Sequence, residues 1–283
     1  MLYLVVPVHN RALVTARFLE ALKHQSETGY TLVLVDDGCT DDTVARASAA
    51  LPPDQLLVLR GDGQLWWAGA LQLAYGYLLK AHLRDDDAVL IVNDDITFAP
   101  DFLRNGLAVL AAHPDAAIQA MGIDRASGTV DRGAVADVAR LHFRAAEEGE
   151  EPNCLSTRGL LMRAPAFLRS GGFRPRWLPH YLSDYEFTLR LRRRGIALMV
   201  DGSFHAEVDL ALTGIDRPDV NSVRRLWADS LSNRAKFNPK HWSAFALMVC
   251  PPWAAPLHIA RIWFGFGRSL LRATLQRTHH VPQ

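Results

Sequence analysis

The segment Ala88-Val89-Leu90-Ile91-Val92 runs straight into Asn93-Asp94-Asp95. A run of apolar residues, mostly β-branched or leucine, has no polar face, so the strand it forms must be covered on both sides. That demand selects a parallel sheet sandwiched between helices. The carboxyl end of such a strand is where open α/β sheets take up ligands. Two adjacent carboxylates at that end repel each other and favour a cation between them. A hard divalent ion, Mg2+ or Mn2+, wants oxygen ligands and shares them with phosphates. The competing reading makes Asp94 and Asp95 solvated turn residues that cap the next helix.

The same strand–helix unit repeats upstream. Leu2–Val6 reads as a strand ending at Pro7, followed by His9-Asn10-Arg11 and a helix with Leu13, Phe18, Leu19 and Leu22. Thr31–Val35 is a second buried strand, and Asp36-Asp37-Gly38-Cys39-Thr40-Asp41 leads into a helix from about Asp42 to Ala50. Leu56–Leu59 is a third strand, Gly61-Asp62-Gly63 a turn, and Trp66–Ala81 a helix. These alternations predict an α/β fold built from βαβ units, with a mostly parallel central sheet. Downstream, residues 121–133 read as a hairpin, Glu147–Glu151 as an acidic loop and Thr157–Met162 as a strand. A short helix over Pro165–Ser170, a helix from Ser183 or Asp184 to Arg194 and a last strand over Ile196–Val200 complete the body. Arg192-Arg193-Arg194 reads as the solvated end of its helix, where cations suit the dipole.

Charge divides the chain unevenly. Through Asp216 there are 21 Lys and Arg against 28 Asp and Glu; from Arg217 onward there are 10 against 2. An acidic body with a basic tail suggests that the tail meets an anionic surface. Cys39, Cys154 and Cys250 have no metal-ligand spacing and form no even disulfide set, which fits a reducing cytoplasm. Met1–Val6 lacks the basic start of a signal peptide and reads as the first strand.

Four motifs stand in register along the chain. They are Val5-Val6-Pro7-Val8-His9-Asn10-Arg11, Val35-Asp36-Asp37-Gly38-Cys39-Thr40-Asp41, Asn93-Asp94-Asp95 and His180-Tyr181-Leu182-Ser183-Asp184-Tyr185-Glu186. Together they resemble the family 2 inverting glycosyltransferases, which have the GT-A fold; the resemblance covers roughly residues 2 to 216. Within that family, Gly61-Asp62-Gly63-Gln64-Leu65-Trp66-Trp67-Ala68-Gly69-Ala70 is similar to the rhamnosyltransferase-like branch that builds surface polysaccharides.

The resemblance implies roles. Asp37 hydrogen-bonds the nucleotide base, with Asp36 beside it and Pro7, His9 and Arg11 lining the same pocket. Asp62, Gly63, Trp67 and Gly69 belong to the donor side; one of Trp66 and Trp67 meets a sugar ring while the other packs. Asn93-Asp94-Asp95 matches a metal motif usually written Asp-X-Asp, with Asp95 on the metal and Asp94 toward the ribose or sugar. Asp184 matches the catalytic base, although Ser183 stands where the family usually has Glu; the alternative for Asp184 is a helix cap. Glu186 reads as an orienting or structural residue rather than a second base. His205 is a candidate second metal ligand, but its surroundings align poorly, and Asp209 with Thr213-Gly214 fits the branch's next loop as well.

The implied activity is metal-dependent inverting transfer of a sugar from a nucleoside-diphosphate sugar, dTDP-rhamnose or a UDP-sugar among them, to a saccharide or lipid-linked saccharide. A sugar-phosphate nucleotidyltransferase would carry a Gly-rich basic loop where Pro7-Val8-His9-Asn10 stands. A non-catalytic nucleotide- or glycan-binding module has no need of all three carboxylate clusters. No nucleic-acid partner is implied, and a homodimer is left open. Residues 217–283 form a basic helical extension, separate from a catalytic domain over 1–216. Trp242–Ala260 carries no Lys, Arg, Asp or Glu but is interrupted by Pro251, Pro252 and Pro256, which argues against a straight span. Over 257–275 a helix would gather Ile259, Ile262, Trp263, Phe266 and Leu270 on one face, opposite Arg261, Arg268 and Arg272. That pattern predicts an interfacial helix, apolar stripe down, that holds a cytoplasmic enzyme at the inner face of a membrane through 242–275.

Overall fold

A computed structural model describes residues 1–208, 227 and 229–278. The expected boundary at 216/217 and the loop with Asp209, Thr213 and Gly214 lie outside the described residues. β1 (Leu2–Val8), β2 (Tyr30–Asp36), β3 (Leu56–Arg60) and β4 (Ala88–Ile91) pair in parallel in the order β3-β2-β1-β4. α1 (Ala12–Lys23), α2 (Thr43–Ala50) and α3 (Trp66–Lys80) connect them. The apolar runs behave as their composition demands. Leu4, Val6 and Leu90 pack on one side of the sheet with Phe18, Leu19 and Phe102. Val5, Val89 and Ile91 pack on the other with Leu71, Phe167 and Phe187. Each such side chain contributes about 1.5–3 kcal/mol on burial.

Beyond β4 the sheet becomes mixed. β5 (Ile96–Thr97), α4 (Phe102–Ala112), β6 (Ala116–Asp124), β7 (Val130–Asp131), β8 (Ala134–Asp137), β9 (His142–Ala145), β10 (Leu160–Arg163), α5 (Ala164–Arg169), α6 (Ser183–Arg193) and β11 (Ala197–Val208) follow in sequence. β10 lies antiparallel between β4 and β6; β11 runs parallel to β6 and antiparallel to β5. β6 and β7 make the expected hairpin, and β8 pairs with β9 as a separate ribbon.

Among the boundaries that differ from the sequence reading, three reshape the sheet. β1 continues through Pro7, which stays in register with Val35 at the loss of one ladder donor. β10 starts only at Leu160. β11 extends to Val208, because after a register shift between Asp201 and His205 the chain alternates buried Phe204, Ala206 and Val208 with exposed Ser203, His205 and Glu207.

The C-terminal helices α7 (Pro239–Val249) and α8 (Ala255–Thr278) share a core with the body. Phe245 of α7 is fully buried beside Phe143 of β9, ring centroids 5.7 Å apart, in a cluster with Ala136, Leu178 and Leu189. Asn238 caps α7 by accepting from the amides of Lys240 and His241. At its other end the Arg193 guanidinium donates to the carbonyls of Met248 and Val249. Arg192, Arg193 and Arg194 are exposed as the sequence reading has them; Arg193 in addition caps the C-terminus of a neighbouring helix, and Arg194 donates to the carbonyl of Arg169.

Candidate active site

The parallel strands bring their carboxyl ends, and the loops after them, to one edge. Asp36 ends β2 and is almost wholly buried. Its Oδ1 accepts from the amide of Cys39 at 2.7 Å and its Oδ2 meets Arg60 at 3.0 Å. Asp37 organises the neighbouring loop. Its Oδ1 accepts from the amides of Gly63 (2.9 Å) and Leu65 (3.1 Å), and its Oδ2 from Trp66 (3.0 Å). An ionised carboxylate offers about four lone-pair sites, so what Asp37 has left for a ligand is on Oδ2.

The loop's shape depends on this contact. Trp66 has φ of +58° and Gly63 of +82°, both left-handed. A Cβ on Gly38 would stand 2.8 Å from the Gly63 Cα, so the loops after β2 and β3 require glycine where they touch. Asp62 is exposed and closes the turn by accepting from the Gln64 amide. His9, after β1, pairs its Nδ1 with the Asp37 carbonyl at 2.5 Å, and Asn10 accepts from the Thr40 amide at 2.8 Å.

Next along the edge lies Asn93-Asp94-Asp95, directly after β4. Asp94 is buried; its Oδ2 accepts from the Thr15 hydroxyl at 2.7 Å and its Oδ1 meets the Arg11 Nε at 3.2 Å. Burial pushes its pKa up to about 6, while Arg11 and Thr15 pull the other way. Asp94 is thus held from the protein side by Thr15 and Arg11, and with Asp95 and Arg17 it also lines a small cleft. Asp95 pairs through Oδ2 with the other end of the same guanidinium at 3.1 Å. The Asn93 Oδ1 is buried with no hydrogen-bond partner.

Among the described residues no three His, Cys, Asp or Glu side chains converge as a complete metal cage. The set nevertheless fits a hard divalent ion. It offers an orphaned amide oxygen and two carboxylates, all hard donors, in the numbers such ions use when phosphate or water completes the shell. His205 is not brought to this set. It is exposed, its Nδ1 pairs with the Gly202 carbonyl at 3.0 Å, and it stands three residues before Val208, the partner of Ile96. Three residues of strand are about 10 Å.

Asp184 enters from α6. Leu182, in a left-handed conformation with φ of 68°, is the N-cap, so Asp184 is not a cap. Its Oδ1 accepts from the Ser183 hydroxyl at 3.2 Å, and the side chain is half-buried. Glu186 is buried and accepts from Arg190 at 2.8 and 2.9 Å, with Arg174 at 3.4 Å. These contacts make Glu186 a buried partner of Arg190. His180 links the two sides of the site: its ring meets the Trp66 ring edge-on at 6.0 Å, and the Asp184 charge is close enough to act on it. Trp67 is the packed tryptophan, its Nε1 donating to the Thr157 hydroxyl at 3.1 Å within the α3 core.

Trp66, Gly69, Gln72, Pro175, Pro179 and His241 are among the residues that line a cleft of about 550 Å³ beside the start of α3. Thr15 and His180 are the site residues that sequence reasoning passed over. Thr15 had a signal, a lone polar residue on the α1 face that carries Phe18, Leu19 and Leu22.

Comparison with known proteins agrees with this geometry. Residues 3–166 match the model of the family described as Glycosyl transferase family 2. No curated protein matches the chain. Among solved structures, the mannosyltransferase PcManGT from Pyrobaculum calidifontis, in complex with GDP-Man and Mn2+, is similar with a TM-score of 0.58 and 16% identity, over 100% of this chain and 76% of that one. S. aureus TarS 1-349 has a TM-score of 0.59 and 13% identity, over 100% and 93%. GalNAc-T7 with UDP, GalNAc and Mn2+ has a TM-score of 0.58 and 13% identity, over 81% and 50%. At such identities the structural likeness speaks for the fold, whereas the family match covers more than half of the 283 residues. With a mixed sheet flanked by helices and carboxylates gathered at its strand ends, the chain belongs to glycosyl transferase family 2, and it is a glycosyltransferase of the GT-A fold.

Proposed function

We propose that the protein is a metal-dependent inverting glycosyltransferase. In this reading it moves a sugar from a nucleoside-diphosphate sugar to a saccharide or lipid-linked saccharide, in the rhamnosyltransferase-like branch that makes surface polysaccharide. dTDP-rhamnose and UDP-sugars are the donor classes to test first. The observation that carries the reading is the oxygen set of Asn93, Asp94 and Asp95, with its unpartnered buried amide oxygen, at the carboxyl ends of the strands. When Mg2+ or Mn2+ is bound there, it supplies Lewis-acid neutralisation of the charge on the departing diphosphate.

The chain's own residues do the rest. Asp37 holds the Gly63–Trp66 loop in shape and keeps one lone-pair direction for a base N–H. Pro7, His9 and Gly63 lie at the same edge and are assigned to the donor side with it. Gly69 lies against Leu65, whose Cβ an added Cβ would crowd at 3.1 Å, while Pro175 at 3.7 Å would be an ordinary contact. Asp184 accepts the proton of the acceptor hydroxyl as that oxygen attacks the anomeric carbon in line with the leaving diphosphate. One carboxylate suffices for such a single displacement. A lipid-linked acceptor places the enzyme peripherally at the cytoplasmic face of a membrane.

The test is thermal unfolding with a panel of nucleotide sugars, each with and without Mn2+, on the wild type and on Asp95→Ala. A donor at about 100 times its Kd should stabilise by about 2.7 kcal/mol. The Mn2+-dependent part should vanish in Asp95→Ala together with transfer. A metal-responsive, active Asp95→Ala protein would overturn the assignment.

A further inference from the structure

The sequence reading placed the stripe Ile259, Ile262, Trp263, Phe266 and Leu270 of α8 against lipid, whereas the structure turns it toward α7 and Trp227, half-burying Ile259, Ile262, Phe266 and Leu270 and leaving Trp263 39% exposed. Ile259 packs on the core that holds α7. The Trp263 Nε1 donates to the Ser243 hydroxyl of α7 at 3.1 Å, and the Phe266 ring lies 5.2 Å from that of Trp227. His258, buried in the same interface, uses Nε2 to donate to the Ala139 carbonyl at 2.8 Å. These contacts set the rotation of α8 and leave its other face outward.

That outward face has its own pattern. Leu257, Phe264 and Leu271 recur every seven residues and are 52%, 69% and 64% exposed; Trp253, just before the helix, is 75% exposed. Arg261, Arg268 and Arg272 are exposed as well. At 100° per residue, the three apolar residues and three arginines of the helix fall within an arc of roughly 100°. The cations therefore flank the outward apolar residues instead of opposing them. The Arg268 guanidinium lies 6.0 Å from the Phe264 ring centroid, its stem running along apolar surface. No Asp or Glu follows Asp229 anywhere in the chain.

A row of large exposed apolar side chains is uncommon on a protein that meets only water. Interleaved with arginine and free of acid, this row complements an anionic sheet with an apolar layer beneath it. No described helix is long and apolar enough to cross a membrane, so the fitting orientation is in the plane of the interface. We infer that the outward face of α8, with Trp253, docks on an anionic lipid bilayer, the apolar residues entering the acyl boundary and the arginines meeting phosphate headgroups. This goes beyond glycosyl transfer and does not depend on it, since vesicle binding needs neither donor nor acceptor.

The test is co-sedimentation of the full chain with vesicles of phosphatidylcholine and phosphatidylglycerol, against phosphatidylcholine alone. The wild type should bind the anionic vesicles, and binding should weaken as salt shortens the screening length. Replacing Arg261, Arg268 and Arg272 together by Gln should weaken binding about 10²-fold. Phe264→Ser with Leu271→Ser should lower it at least tenfold, and should do so at high salt too. Both variants change outward-facing positions, so the inward contacts of α8 persist. If the wild type stays in the supernatant, or either variant binds as well as wild type, the inference fails. It also fails if light scattering shows a dimer that Phe264→Ser with Leu271→Ser dissociates while vesicle binding is absent, because a second copy then covers the face.

Discussion

Arg11 and Asp95 lie 84 positions apart, and the fold sets the guanidinium of one on the carboxylate of the other at 3.1 Å, with the Arg11 Nε at 3.2 Å from Asp94. A residue assigned to the donor pocket is thus the internal counter-ion of the residue assigned to the metal. Two carboxylates after one buried strand would repel strongly without it, and a divalent ion there must take the guanidinium's place or share it.

The first prediction concerns that competition. Arg11→Met should lower metal-free stability by about 1–3 kcal/mol, the smaller values applying if Asp94 takes up a proton. The stabilisation produced by Mn2+ should become larger than in wild type. Thermal unfolding across a Mn2+ titration measures both. A smaller Mn2+ effect in the variant would mean that Arg11 assists the ion instead of competing with it.

Asp184 and Glu186 should separate cleanly. Because Leu182 rather than Asp184 occupies the N-cap, Asp184→Asn should shift stability by no more than about 0.5 kcal/mol. Turnover should fall by about 10² or more while donor protection survives. Glu186→Gln breaks the paired contacts to Arg190 and should cost about 3–5 kcal/mol. Side-by-side melting and turnover measurements decide the assignment, which fails if Asp184→Asn turns over at the wild-type rate.

For Asp37, structural and binding losses are expected together. Asp37→Ala strands the amides of Gly63, Leu65 and Trp66 in a half-buried loop, a loss of about 2–4 kcal/mol. Asp37→Asn keeps one acceptor oxygen and should lose less stability. Denaturant unfolding of the two variants checks the order, and donor protection should be absent in both.

The last prediction is a pH dependence from two histidines. Burial holds the pKa of His180 below the ordinary histidine value, with Asp184 opposing; burial, then Lys240 and His180, do the same to His241. Each Nδ1 is buried without a hydrogen-bond partner. The unfolded chain therefore binds more protons just below pH ~6.5, so stability is full above that value and is lost as pH falls through it. Each histidine contributes a slope of at most about 1.4 kcal/mol per pH unit. Asp94, with its pKa raised to about 6, acts in the opposite sense over more acid pH but is common to all variants. His180→Gln and His241→Gln should each show a smaller fall in Tm between about pH 7.5 and 5.5 than wild type. An unchanged fall would show that neither histidine titrates in this window.

The amino-acid sequence by itself determined the four parallel strands, the helices between them and the residues at the strand ends. Strands such as Val33–Val35 and Val89–Ile91 are apolar at every position, so no arrangement other than two-sided burial suits them. The pairing of Glu186 with Arg190, one helical turn apart, appeared only in the structure. Tertiary structure alone decided the rest. The antiparallel insertion of β10 between β4 and β6 depends on partners about 40 and 70 residues away, which no local period encodes. Helical periodicity divides α8 into two faces without saying which one the body takes. Contacts with Ser243, Ala139 and Trp227 settled that choice, half-burying most of the apolar stripe and leaving Leu257, Phe264, Leu271 and the arginines outward. The pairing of Arg11 with Asp94 and Asp95 likewise exists only because β1 and β4 are neighbours, which brings the loops after them within reach of one side chain.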